Sequence, residues 1–141
     1  MLNLDLETLI SNAKKHGACK SHVSFLSAYE TTQEALKDSK APYWINWYLR
    51  NVVKSTDEEC EAFLLKNDPR HLYHYIRFIK KERWEEGEVE ILKSPEFSAY
   101  YAIYFLGHRW KEIETTIYDS IILWNMYAEK FGLEKQEEKK K

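Results

Sequence analysis

The sequence predicts an all-α protein, a bundle of short antiparallel helices whose C-terminal part is a solenoid-like helical repeat. Three observations carry that prediction. Apolar residues recur at helical rather than alternating spacing along almost the whole chain. Only four Gly and three Pro are spread over 141 residues, too few turn formers for a protein of many hairpins. A segment of about 26 residues also recurs, each copy leading into the next through a short turn.

Leu4, Leu6, Leu9, Ile10 and Ala13 mark a first amphipathic helix, closed by Gly17. A second is expected from about Ala18 to Tyr29, with Val23, Phe25, Leu26 and Tyr29 as its apolar residues. Thr31 and Glu34 form a capping box ahead of a short helix ending near Asp38. Pro42 suits the first turn of the helix written "PYWINWYLRNVV". Thr56 with Glu59 reads as another box, opening a helix through Phe63 and Leu65. Asp68-Pro69 and Ser94-Pro95 are each a capping residue followed by Pro at the first helical position. The last helix is expected from about Ser120 to Phe131, with Gly132 as its stop. The expectation is one domain, residues 1–133, made of an N-terminal helical module (1–56) and helix-turn-helix repeats (57–133). The charged stretch 134–141 is expected to be a flexible tail.

The repeat is most visible in "RWEEGEVEILKSP", starting at Arg83, and "RWKEIETTIYDS", starting at Arg109. A shift of 26 residues carries Arg83, Trp84, Glu86 and Glu88 onto Arg109, Trp110, Glu112 and Glu114. The same shift carries Pro69 onto Pro95, Tyr75 onto Tyr101 and Tyr101 onto Tyr127, while a shift of 27 aligns Pro42 and Tyr48 with Pro69 and Tyr75. Residues common to the copies of a repeat serve stacking, so these Arg, Trp and Glu residues read as structural. Trp would pack between helices, Arg would pair with a Glu, and acids in a first turn complement the helix dipole.

This P-x-x-x-x-x-Y…R-W-x-E-x-E pattern resembles short tandem repeats in uncharacterised proteins of bacteriophages and prophages. The front part, "HGACKSHVSFL…TTQEAL…PYWINWYLRNV", resembles a helical module that recurs in such proteins. The last copy departs from the pattern, with Ile121 where the others have Pro. The resemblance implies a phage accessory protein and brings no catalytic residues with it.

Composition narrows the function classes. A chain 44% hydrophobic and 31% charged is globular rather than disordered. A formal charge of -2 gives no general drive toward nucleic acid or an anionic membrane, so such binding would need a local patch. The N-terminus has acids and no basic stretch, which is not a secretory signal, and no apolar run approaches the roughly 20 residues of a membrane span. Cys19 and Cys60 read as reduced thiols, pointing to the cytoplasm, that of the host cell if the protein is phage-encoded. No phosphate loop, nucleophile elbow, zincin motif or CxxC pair is present, so no catalytic residue and no cofactor are expected. His71 with His74, and Cys19 with His22, have helical ligand spacing but too few partners for zinc, so no metal is expected either.

Two groups stand out as binding residues. Arg70, His74, Arg77 and Lys81 form one stripe along a helix whose other side carries Leu72, Tyr75, Ile76 and Ile79. Trp44 and Trp47, with Tyr43 and Tyr48, cannot all point the same way on a helix, so some should face outward. The leading expectation is non-catalytic protein binding, with a host or defence protein as the partner that is modulated or inhibited. The alternatives are nucleic acid or phosphate on the basic stripe and a small ligand in an aromatic pocket. The acidic run Glu85, Glu86, Glu88 and Glu90 weighs against nucleic acid. Self-association stays open, and no membrane partner is expected.

Overall fold

The computed structural model describes residues 1–137, and among these every regular element is helical, with no strand. The chain divides into two compact units, Met1–Lys81 and a second beginning at Glu82. The internal boundary expected at 56/57 is therefore displaced to 81/82. The reason is packing: segment 57–81 buries Cys60, Leu64, Leu72, Tyr75 and Ile76. It is also tied to the start of the chain by the Met1 amino group on Asp57 at 3.2 Å.

The first unit contains α1 (Leu6–Lys15), α2 (Lys20–Ser27), α3 (Thr32–Ala35), α4 (Ala41–Tyr48), α5 (Glu58–Leu64) and α6 (Pro69–Tyr75). The second contains α7 (Glu85–Ile91), α8 (Pro95–Tyr100), α9 (Lys111–Tyr118) and α10 (Ile121–Phe131). Most starts follow the capping chemistry of the sequence. Asp68 accepts from the Arg70 amide at 2.8 Å, while Ser94 and Ser120 accept from Phe97 and Leu123 at 3.3 Å. The Thr56 box is corrected: Asp57, one residue on, caps α5 by accepting from the Cys60 amide at 3.0 Å. The second helix begins at Lys20 rather than Ala18, because the Ala18 amide is still used on Ala13 O (3.0 Å) to close α1 around Gly17, φ 81°.

Helices α4, α6 and α8 run on into π-helical turns, Leu49–Val53, Ile76–Lys80 and Tyr101–Leu106. Each turn ends on a left-handed residue whose amide reaches a carbonyl five residues back. The bonds are Lys54 to Leu49 (2.7 Å), Lys81 to Ile76 (2.8 Å) and Gly107 to Ala102 (2.9 Å). Glycine takes that conformation freely, whereas for Lys54 and Lys81, at φ 56° and 58°, it costs about 1–2 kcal/mol.

The repeat has a physical core. Tyr48, Tyr75, Tyr101 and Tyr127 are all buried, and each hydroxyl meets a polar side chain from an earlier helix. Asn12 donates to Tyr48 at 2.9 Å; Tyr75, Tyr101 and Tyr127 donate to Glu61, Glu88 and Glu114 at 2.7, 2.7 and 3.1 Å. A cation completes each glutamate: Lys80 on Glu61 at 2.8 Å, Arg83 on Glu88 through Nε and Nη2 at 3.0 and 2.7 Å, and Arg109 on Glu114. Trp110 is buried, its amide donating to Tyr127 Oη at 2.8 Å, while Trp84 is half-buried. Of the two glutamates in R-W-x-E-x-E, the sixth-position Glu88 and Glu114 are therefore the paired ones. Glu86 and Glu112 lie exposed in the first turns of α7 and α9.

Residues 134–137 depart from the expected tail. They lie back on α10: Gln136 N donates to Asn125 Oδ1 at 2.7 Å, Asn125 Nδ2 to Gln136 O at 3.0 Å, and Trp124 Nε1 to Glu134 O at 2.9 Å. The rest of that stretch, 138–141, is outside the described residues. No helix among the described residues is long and apolar enough to cross a membrane.

Candidate functional site

In the first unit α4 packs beside α6, and their π-helical turns lie against each other. Two cavities open along this seam, and they share Arg50, Phe78 and Ile79 as walls, so they form one groove. One end, about 280 Å³, is aromatic, with Tyr43, Trp47, His71, His74 and Phe78 around the amides of Asn46 and Asn51. The other end, about 350 Å³, is basic, walled by Arg50, Lys54, Arg77 and Lys81.

Phe78 organises the junction. The Arg50 guanidinium stands 4.3 Å from its ring centroid and that of Arg77 4.7 Å, within cation–π range. Arg77 also donates to Tyr73 Oη at 2.8 Å, and His74 stacks on Phe78 at 6.0 Å with an interplanar angle of 14°. Arg70 donates to Tyr43 Oη at 3.2 Å, and Tyr43 meets the edge of His71 at 4.5 Å.

The groove is electropositive. No acidic side chain lines either end, and among the described residues Arg50, Lys54 and Lys81 form no ion pair. Histidine ionisation reflects this field. Burial lowers the pKa of His74 below the ordinary imidazole value, and the charges of Arg70, Arg77 and Arg50 lower it further. Burial lowers His71 as well, aided by Arg70 and His74 and opposed by Asp68.

The basic stripe read from the sequence is therefore brought together. His74, Arg77 and Lys81 are in the groove wall, and Arg70 reaches it through Tyr43. Trp47 also lines the groove, backed by His22 at 4.8 Å between rings. Trp44 is a correction: it is 1% exposed and belongs to the core, with α4 turning it inward beside Ile45 and Tyr48. Arg50, Lys54, Asn46 and Phe78 were missed. A signal for two of them was present, since the shift of 27 that aligns Tyr48 with Tyr75 also carries Arg50 onto Arg77 and Lys54 onto Lys81. The next copy has Ile103 and Gly107 at those positions.

The thiols lie elsewhere. Cys19 is exposed, with Ser21 Oγ at 3.1 Å, and that hydrogen bond holds its pKa below the ordinary thiol value. Cys60 is buried, and burial raises its pKa. Among the described residues no three His, Cys, Asp or Glu side chains are grouped as a metal site. No protein-family model, curated protein or solved structure matches the chain.

Proposed function

We propose that the protein is a non-catalytic binding module that holds an anionic partner in the groove between α4 and α6. One observation carries this reading: two copies of the repeat each contribute an Arg and a Lys, and all four line one acid-free wall. Guanidinium and ammonium groups so placed recognise carboxylate or phosphate. In keeping with the resemblance to phage repeats, its setting would be that of an accessory protein acting on a host or defence component. A protein partner would present an acidic segment, and the Trp, Tyr and Arg of the groove are residue types that dominate interface energetics.

The test is elution from immobilised heparin, a generic polyanion, for the natural protein, Arg50→Glu/Arg77→Glu, and Lys14→Glu/Lys15→Glu. The last pair makes the same change in net charge on exposed positions of α1. Elution at clearly lower salt for the groove variant alone is expected. Equal shifts for both variants would mean that the groove has no special part in anion binding.

A further inference from the structure

We infer that the ligand of this groove is a nucleoside phosphate, its phosphate at the basic end and its base at the aromatic end. The inference rests on the anion-binding reading above and deepens it. The two ends differ in chemistry yet share a wall, so one small molecule spans both. Four cations at one end suit a phosphate, whose oxygens take charge-assisted bonds from several directions. The other end is walled by the rings of Trp47 and Tyr43, aromatic surfaces on which a base can stack. At its wall Asn46 donates Nδ2 to His71 O at 3.1 Å, which ties α4 to α6 beside the aromatic end. Inorganic phosphate leaves the aromatic end empty, and an acidic peptide brings carboxylates but no ring.

Backbone strain supports the same assignment. Lys54 and Lys81 hold left-handed conformations where the two later helices of the series end on Gly107 and Gly132. Side chains kept in a costly conformation mark functional positions when geometry gives them a task. Here the task is visible, since both lysines line the basic end.

The chemistry is shared by a free nucleotide and by the end of a single-stranded nucleic acid, and calorimetric titration separates them. The titrants are AMP, GMP, CMP and UMP, the matching nucleosides, inorganic phosphate, a short oligoadenylate and polyglutamate. At least one mononucleotide is expected to bind about tenfold or more tightly than its nucleoside and than phosphate, with affinity falling as salt rises. An oligoadenylate no tighter than AMP assigns the free nucleotide, and a much tighter one assigns the strand end; both sustain the proposal. Lys54→Gly/Lys81→Gly should lose about tenfold in affinity while melting no lower than the natural protein, because glycine relieves the strain. If polyglutamate binds at the groove and no mononucleotide does, the nucleotide assignment is overturned and the anion-binding reading survives. If none of the anions binds, both fall. Undiminished nucleotide affinity in the double-glycine variant would place the ligand elsewhere.

Discussion

Lys81 and Gly107 hold the same place at the ends of successive π-helical turns, and they predict opposite responses to substitution. Lys81→Gly removes a left-handed side-chain penalty of about 1–2 kcal/mol and adds the entropy cost of glycine, for a net gain of about 0.5–1 kcal/mol. By the same balance, Gly107→Ala should lose about 0.5–1 kcal/mol. A Cβ there meets nothing within 4 Å, so the loss is conformational rather than steric. Thermal denaturation of both variants checks the pair; a destabilised Lys81→Gly would contradict it. At the buried glutamates, Tyr101→Phe takes a donor from the Glu88 carboxylate and should cost about 1.5–3 kcal/mol, the range for bonds to charged groups. Urea denaturation gives the value, and a cost near zero would mean that Arg83 alone satisfies Glu88.

Among the elements, the two Arg-Trp turns look alike in sequence and differ in burial. Trp110→Ala should cost about 3–5 kcal/mol, as for a large core side chain. Trp84→Ala should cost clearly less, because Trp84 is half-buried. Equal losses in a denaturant titration would mean that the burial difference has no energetic weight. The helices were largely legible from the chain because caps, Pro and Gly act locally: Asp68, Ser94, Ser120 and Gly132 all do what their residue types dictate. The Thr56 reading failed locally too, since two capping residues stand side by side and only the fold chooses Asp57. The division at 81/82 and the inward turn of Trp44 depend on packing between distant segments, which periodicity does not report. Half of the basic wall lay in the stripe of α6 and its turn. The other half, Arg50 and Lys54, lay one repeat away and needed the knowledge that α4 and α6 pack side by side.

For the whole molecule, the titrating groups set two acid windows. His22, His71 and His74, all in the first unit, are held below the ordinary imidazole pKa chiefly by burial. Unfolded chains take up these protons near pH 6.5 while the folded protein refuses them, so this stability is complete above about pH 6.5 and shrinks below it. Glu88 behaves otherwise. Burial pushes its carboxyl up, but bonds from Arg83 and Tyr101 outweigh burial and leave the pKa lowered. Glu114 is lowered chiefly by its bond from Arg109. Stability from these two is present above about pH 4.5 and is lost as pH falls through their folded values. The melting temperature should therefore decline gently from pH 7 to 5 and more steeply below about pH 4.5. A flat profile between pH 7 and 5 would show that the histidines are not coupled to folding.

Three buried tyrosines of the repeat, Tyr75, Tyr101 and Tyr127, also make the protein report on its own collapse in alkali. Burial, first of all, together with the glutamates they face, holds the Tyr75, Tyr101 and Tyr127 phenols above their ordinary range. Rising pH should thus give an abrupt, cooperative step in phenolate absorbance when these interior rings reach base. That step would coincide with loss of the helical circular dichroism signal. The ultraviolet absorbance would then time the moment at which the repeat comes apart.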